Sequence, residues 1–156
     1  GRHHHYEGVS LAVRPQQDPL EIWLGGRVPA ALRRCGRVGE GWMPGRCTAA
    51  EAAAARTVIE AGASEHGRTI DPEHFGVLVP YTHGELNPQT REILTRRAPD
   101  VDPNDIVPTG WDGLRTQLER FIEVGASKFV PILVGEPDDW TAELTGVGDA
   151  VLDLTT

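Results

Sequence analysis

The chain has a single lysine, Lys128, a single methionine, Met43, and two cysteines, Cys35 and Cys47, in 156 residues. Two cysteines exclude a disulfide framework, and their spacing matches no zinc motif. Both are expected as packed or idle thiols in a reducing, cytoplasmic compartment. Basic charge is also scarce, with 15 Lys and Arg against 23 Asp and Glu and a formal net charge of -8. Nucleic acid and anionic membrane surfaces recruit excess Lys and Arg, so neither is expected as a partner. Long apolar runs are missing, because Arg, Glu, Gly or Pro interrupts every stretch well before the roughly 18 residues of a spanning helix. No apolar segment of a secretory signal lies near the start. His3, His4 and His5 are consecutive, and on an extended segment they point to alternate sides and do not converge on one ion, so no metal site is expected. The first residue is Gly1, which reads as a processed product or a fragment.

What is present is a chain of one domain's length with 39% hydrophobic residues, enough for a folded core. Residues 1–19 read as an irregular opening segment. From residue 20 to the end, short apolar runs alternate with helical patterns, the rhythm of βα units on a parallel sheet. Leu20 to Leu24 reads as a strand ended by Gly25-Gly26, and Pro29 opens a helix that runs toward Gly36 or Gly39. Gly41-Trp42-Met43 is a very short second strand, closed by Pro44-Gly45. Thr48 and Glu51 form a capping box for an alanine-rich helix reaching about Glu65. Phe75 to Val79 is a third strand, stopped by Pro80. Asn87-Pro88 caps a minor helix, and Ala98 to Thr109 reads as a surface excursion. Leu114, Leu118, Phe121 and Ile122 recur at helical spacing, and Lys128 to Val134 is a fourth strand. Pro131 within that run belongs at an edge or a bulge. Trp140, Leu144, Val147 and Val151 mark a closing helix in spite of Gly146 and Gly148.

Four βα units make either a small open sheet or half of an eight-stranded barrel, because a complete barrel needs at least ~200 residues. The glycine pair at the end of the first strand lets backbone approach a ligand closely, and the helix start behind it suits an anion. Its spacing matches neither the dinucleotide fingerprint nor a Walker loop. Among the histidines, His66 and His74 fall where exposure is expected. His83, following Tyr81-Thr82 at a strand's carboxyl end, is the one placed on the catalytic side of a barrel.

Glu21-Ile22-Trp23-Leu24-Gly25-Gly26, then Ala30-Ala31-Leu32-Arg33-Arg34, then Gly39-Glu40-Gly41-Trp42-Met43 resemble the second half of the luciferase-like monooxygenase superfamily. The Thr48 to Arg68 helix and the Glu123-Val124-Gly125-Ala126 turn continue the likeness, from about Gly8 to Leu154. The resemblance implies the C-terminal half of a (β/α)₈ barrel, with about four parallel strands and outer helices. It implies an oxidoreductase that passes hydride between a small organic substrate and the deazaflavin coenzyme F-420, or alternatively an FMN-dependent monooxygenase. The Arg-rich, Lys-poor composition resembles actinobacterial members and favours the deazaflavin.

By the same resemblance, Leu24, Gly25, Gly26, Pro44 and Gly45 become cofactor contacts, with Trp42 lining the ring pocket. Two positions depart from the family pattern. Gly45 stands where relatives commonly have a hydroxyl residue on the phosphate, a role open here to Arg46 or Thr48. Glu40 replaces the usual Asp of the Gly-Asp-Gly triplet. The strands that hold much of the ring, and the acid/base groups of the first half, have no counterpart in this sequence, so the catalytic residues stay unassigned. A half-barrel would leave an inward face of Ile22, Leu24, Met43, Val77 and Val79 uncovered, so self-association into a homo-oligomer is expected. The rival reading is a non-catalytic half-barrel that self-associates.

Overall fold

A computed structural model describes residues 2–10 and 12–154 of the chain. Regular structure begins with β1 (Trp23–Leu24), followed by α1 (Pro29–Val38), β2 (Gly41–Trp42), α2 (Ala49–Ser64) and β3 (Gly76–Tyr81). Then come α3 (Pro88–Arg97), α4 (Pro103–Ile106), α5 (Gly110–Glu123), β4 (Lys128–Leu133), α6 (Trp140–Val151) and a final 3-10 turn, Leu152–Leu154. β1 pairs with β2 and β3 with β4, all parallel. Between the two pairs the ladder narrows to isolated parallel bridges, Trp42 to Phe75 and Gly45 to Leu78. Pro44 at this seam has no N–H to donate, and only its carbonyl takes part, accepting from the Leu78 amide at 2.8 Å. The strands therefore follow sequence order around one parallel arc.

Strand alternation divides the arc into two faces. Trp42, Val77, Val79 and Tyr81 point outward into the main core, where Leu32 and Cys35 of α1, Ile59 of α2, and Leu114, Leu118 and Phe121 of α5 meet them. Leu78, Val130 and Ile132 take the opposite phase, and the last two are exposed. This corrects the inward face read from the sequence. Val77 and Val79 are covered by helices and Leu24 packs against the same core, while Ile22 stays 54% exposed. A continuous apolar strand gives no cue to its phase, and a shift of one residue exchanges the two faces.

Proline positions follow the pairing. Pro80 does not stop β3, which continues to Tyr81. Beyond the Gly45 to Leu78 bridge no described strand lies on that side of β3, so the missing donor goes unnoticed. Pro131 is tolerated because β4 is an edge strand among the described residues. The capping box of α2 is formed in full, the Glu51 amide donating to the Thr48 hydroxyl and the Thr48 amide to the Glu51 carboxylate. The segment after Ala98 is more than a surface excursion. Ile106 and Val107 bury with Leu86 and Leu94 in a second small core, since α4 folds them back beneath α3.

Candidate functional site

The tryptophan- and glycine-rich segments around β1 and β2 serve packing first. A Cβ on Gly41 would lie 2.4 Å from the Trp23 ring, so only glycine lets the indole rest on β2. The Trp42 indole N–H donates to the Gly26 carbonyl at 3.0 Å, and the ring is buried in the core. Trp42 therefore braces the glycine turn instead of lining a ligand pocket. Pro44 is likewise fully buried, which leaves its backbone as its only contribution. Glu40 accepts from the Ile22 amide at 2.9 Å and pairs with Arg68 at 3.3 Å. The Arg68 guanidinium also donates to the carbonyls of Gly36 and Gly39, closing the end of α1. Thr48 is occupied by its capping box.

Three ligand-capable features gather at the carboxyl ends of the strands. After β1, Gly25 and Gly26 are exposed, and Gly26 adopts φ +92, a conformation open to glycine. A Cβ there would meet the Ala31 Cβ at 3.0 Å, and one on Gly25 the Met43 carbonyl at 3.3 Å. No side chain caps the start of α1 behind them. Leu24 contributes its carbonyl to the Met43 amide and its side chain to the core.

After β2, Gly45 and Arg46 open onto a cavity of about 330 Å³ between the inner face of β3 and β4 and the helix α3. Leu78, Pro80, Ile93, Leu94, Val107, Ile132 and Val134 make its walls apolar, and Arg46, exposed and without a partner among the described residues, stands at its edge. By contrast, the Arg27 guanidinium is already paired with Glu51 at 2.9 Å.

The third feature lies at the ends of β3 and β4. Glu143 of α6 is only 5% exposed and receives three donors. They are the Tyr81 hydroxyl at 2.5 Å, the His83 Nε2 at 2.7 Å and the Trp111 indole N–H at 3.1 Å. Burial pushes the Glu143 carboxyl up, but hydrogen bonds from Tyr81, Trp111 and His83 outweigh it and hold the group below the ordinary carboxylate value. Tyr81 is driven the other way, above the ordinary phenol value, by burial and by its bond to Glu143. The His83 ring stands edge-on to Tyr81 and Trp111, with centroids 5.9 and 5.2 Å away. Gly146, a helix breaker by propensity, is required here because a Cβ would lie 2.2 Å from the Trp111 ring.

Of the residues singled out from sequence, the structure places Gly25, Gly26 and Gly45 at the rim and His83 in a built cluster. It withdraws Trp42 and Pro44 into the core. Glu143, Tyr81 and Trp111 carried no signal of their own, since they lie far apart in sequence. The thiols are passive. Burial pushes both Cys35 and Cys47 up to about 11, against the opposing influence of Arg68 and Arg27 respectively, so neither is a thiolate near neutral pH. Among the described residues no helix is long and apolar enough to cross a membrane.

These features define an α/β half-barrel whose ligand-capable groups collect at the carboxyl edge of parallel strands. The chain belongs to the luciferase-like monooxygenase family, which matches residues 1–148. Solved structures agree on the fold. An F-420-dependent secondary alcohol dehydrogenase, seen with an F-420–acetone adduct, superposes with a TM-score of 0.69 at 16% identity, covering 100% of this chain and 55% of that one. A coenzyme F-420-dependent tetrahydromethanopterin reductase from Methanopyrus kandleri gives 0.62 at 17% identity, covering 90% and 52%. A monooxygenase from Streptomyces bottropensis gives 0.63 at 16%, covering 97% and 54%. The chain thus spans about half the length of the solved structures it matches. No curated protein matches it.

Proposed function

We propose that this chain is the cofactor-binding half of an oxidoreductase that transfers hydride between a small organic substrate and the deazaflavin coenzyme F-420. The observation that carries the reading is Arg46, without a partner among the described residues, at the mouth of an apolar cavity beside Gly45. A flat ring with an anionic tail suits that combination, and the open glycine turn at Gly25 and Gly26 offers the tail backbone that no Cβ obstructs. When bound, the deazaflavin ring supplies a two-electron acceptor for hydride. The chain's own part is to hold the tail at Arg46 and the glycines and to wall the ring with Leu78, Pro80, Ile93 and Ile132. FMN shares the ring-and-phosphate chemistry and is the competing ligand.

Titration of coenzyme F-420, FMN and inorganic phosphate into the chain and into Arg46→Gln tests this. Both cofactors are expected to bind weakly, F-420 more tightly than FMN, and loss of the charge should weaken them about tenfold. Arg46 is a cleaner probe than Gly26, where any side chain disturbs the turn itself. Binding unaffected by Arg46→Gln would move the site elsewhere, and no binding of either cofactor would favour a non-catalytic module.

We infer that the inner face of the arc is covered by a second copy of the chain. Val130, outside the cavity that Ile132 helps to wall, is 41% exposed on it, and the chain covers 55% of a matching structure. Burying such a face is favourable by roughly 25 cal/mol per Å². Light scattering should give a multiple of 17.0 kDa. A monomer that unfolds cooperatively would defeat the inference.

A further inference from the structure

We propose that the cavity between the ends of β3 and β4 and the start of α6 is a recognition site for a neutral or cationic group bearing an O–H or N–H donor, an alcohol or a protonated amine. Its acceptor is Nδ1 of His83.

The cavity holds about 520 Å³, with His83, Trp111, Glu136, Asp138 and Glu143 among its walls. Glu143 is held in its ionised form by its three donors and has no proton to give, so the His83 nitrogen 2.7 Å from it must carry the hydrogen. Whenever the ring carries one hydrogen, it therefore carries it on Nε2. Nδ1 is left as an acceptor with no partner among the described residues. The ring's orientation is set edge-on to Tyr81 and Trp111, much as a buried carboxylate orients a histidine in hydrolytic triads.

Charge settles the ligand class. Glu136 and Asp138 face the cavity without partners among the described residues, and no Lys or Arg lines it. An anion entering there meets carboxylates on several sides, whereas an ammonium is attracted and an alcohol tolerated. The cofactor's phosphate, which the proposed function requires, is thereby directed to Arg46 and the glycine turn. Val134 lines both cavities, so an occupant of this one adjoins the apolar cavity across a shared wall. Naming the occupant as the oxidoreductase's substrate rests on the proposed function; the recognition chemistry stands without it.

The test needs no cofactor. Nitrogen-15 spectra of the His83 ring report the tautomer directly, and 2-propanol, isopropylammonium and isobutyrate serve as probes of similar shape and different charge. The wild-type chain is expected to show the Nε2–H tautomer. Isopropylammonium and 2-propanol should shift the Nδ1 resonance in a saturable way, and isobutyrate should not. Glu136→Gln with Asp138→Asn should weaken isopropylammonium about fivefold and leave 2-propanol unchanged, as removal of two exposed charges requires. Glu143→Gln should remove the tautomer preference. A ring protonated at Nδ1, alone or together with Nε2, isobutyrate binding as well as the amine, or no saturable shift with any probe would overturn the proposal. Because the cofactor titration is read separately, failure of either idea leaves the other open to its own test.

Discussion

Replacing Gly36 by valine is expected to lower stability by about 3 kcal/mol or more, among the largest losses any single substitution on the outer layer would produce. The cause is backbone against backbone. A Cβ at Gly36 would lie 2.3 Å from the Ile59 carbonyl oxygen, 2.7 Å from the Ala63 nitrogen and 2.8 Å from the Gly62 carbonyl carbon. None of these atoms can rotate aside, so α1 would have to leave α2 and expose Leu32, Cys35 and Ile59. Urea denaturation should show the midpoint falling by roughly 1–2 M with an unchanged slope. Gly62→Ala is the control. Its Cβ would find the Arg33 carbonyl oxygen at 3.4 Å, an ordinary contact, and alanine favours a helix, so stability should hold or rise by up to about 1 kcal/mol. Equal losses in both variants would mean that close helix approach is not what Gly36 provides.

The second large effect belongs to Glu143. In Glu143→Ala the Tyr81 hydroxyl, the Trp111 indole N–H and the His83 ring lose their common acceptor inside the fold. Leaving buried donors unmatched costs about 1–3 kcal/mol each when water cannot reach them, and the partial exposure of His83 and Trp111 brings the expected total to about 2–4 kcal/mol. Glu143→Gln keeps an acceptor and should lose less. The pH dependence has a definite sign. The folded carboxyl lies below the ordinary value of 4.5, so its contribution is full above that value and is lost as pH falls through the depressed folded one. Wild type should therefore lose stability more steeply than Glu143→Gln as the pH falls below about 4.5, with the two curves parallel above it. Parallel curves throughout the acid range would show that the cluster does not hold Glu143 ionised.

The order of elements was legible in the sequence because it depends on neighbours. Thr48 and Glu51 announce the start of α2 through two hydrogen bonds that form within one turn, and Pro29 marks the start of α1 by its fixed φ. The spacing of Leu114, Leu118, Phe121 and Ile122 placed the buried face of α5 for the first three, because helical periodicity is itself a sequence property, while Ile122 falls at its edge and is 39% exposed. The glycine turn after β1 and the position of His83 at a strand end were legible for the same reason.

Tertiary structure alone decided which way the strands face and what converges on His83. Val77 and Leu78 are both apolar, and only the helices packed on one side of the arc assign the first to the core and the second to the cavity. A large aromatic at a strand end is more often core than ring wall, and only the folded chain shows the Trp42 ring buried with its N–H on the Gly26 carbonyl 16 residues away. Glu143 stands 60 residues from His83 and 32 from Trp111, and nothing local to α6 distinguishes it from an exposed helical glutamate. Patterns within a helix or a turn are written in adjacent residues, whereas a buried charge and its donors meet only when the whole chain has folded around them.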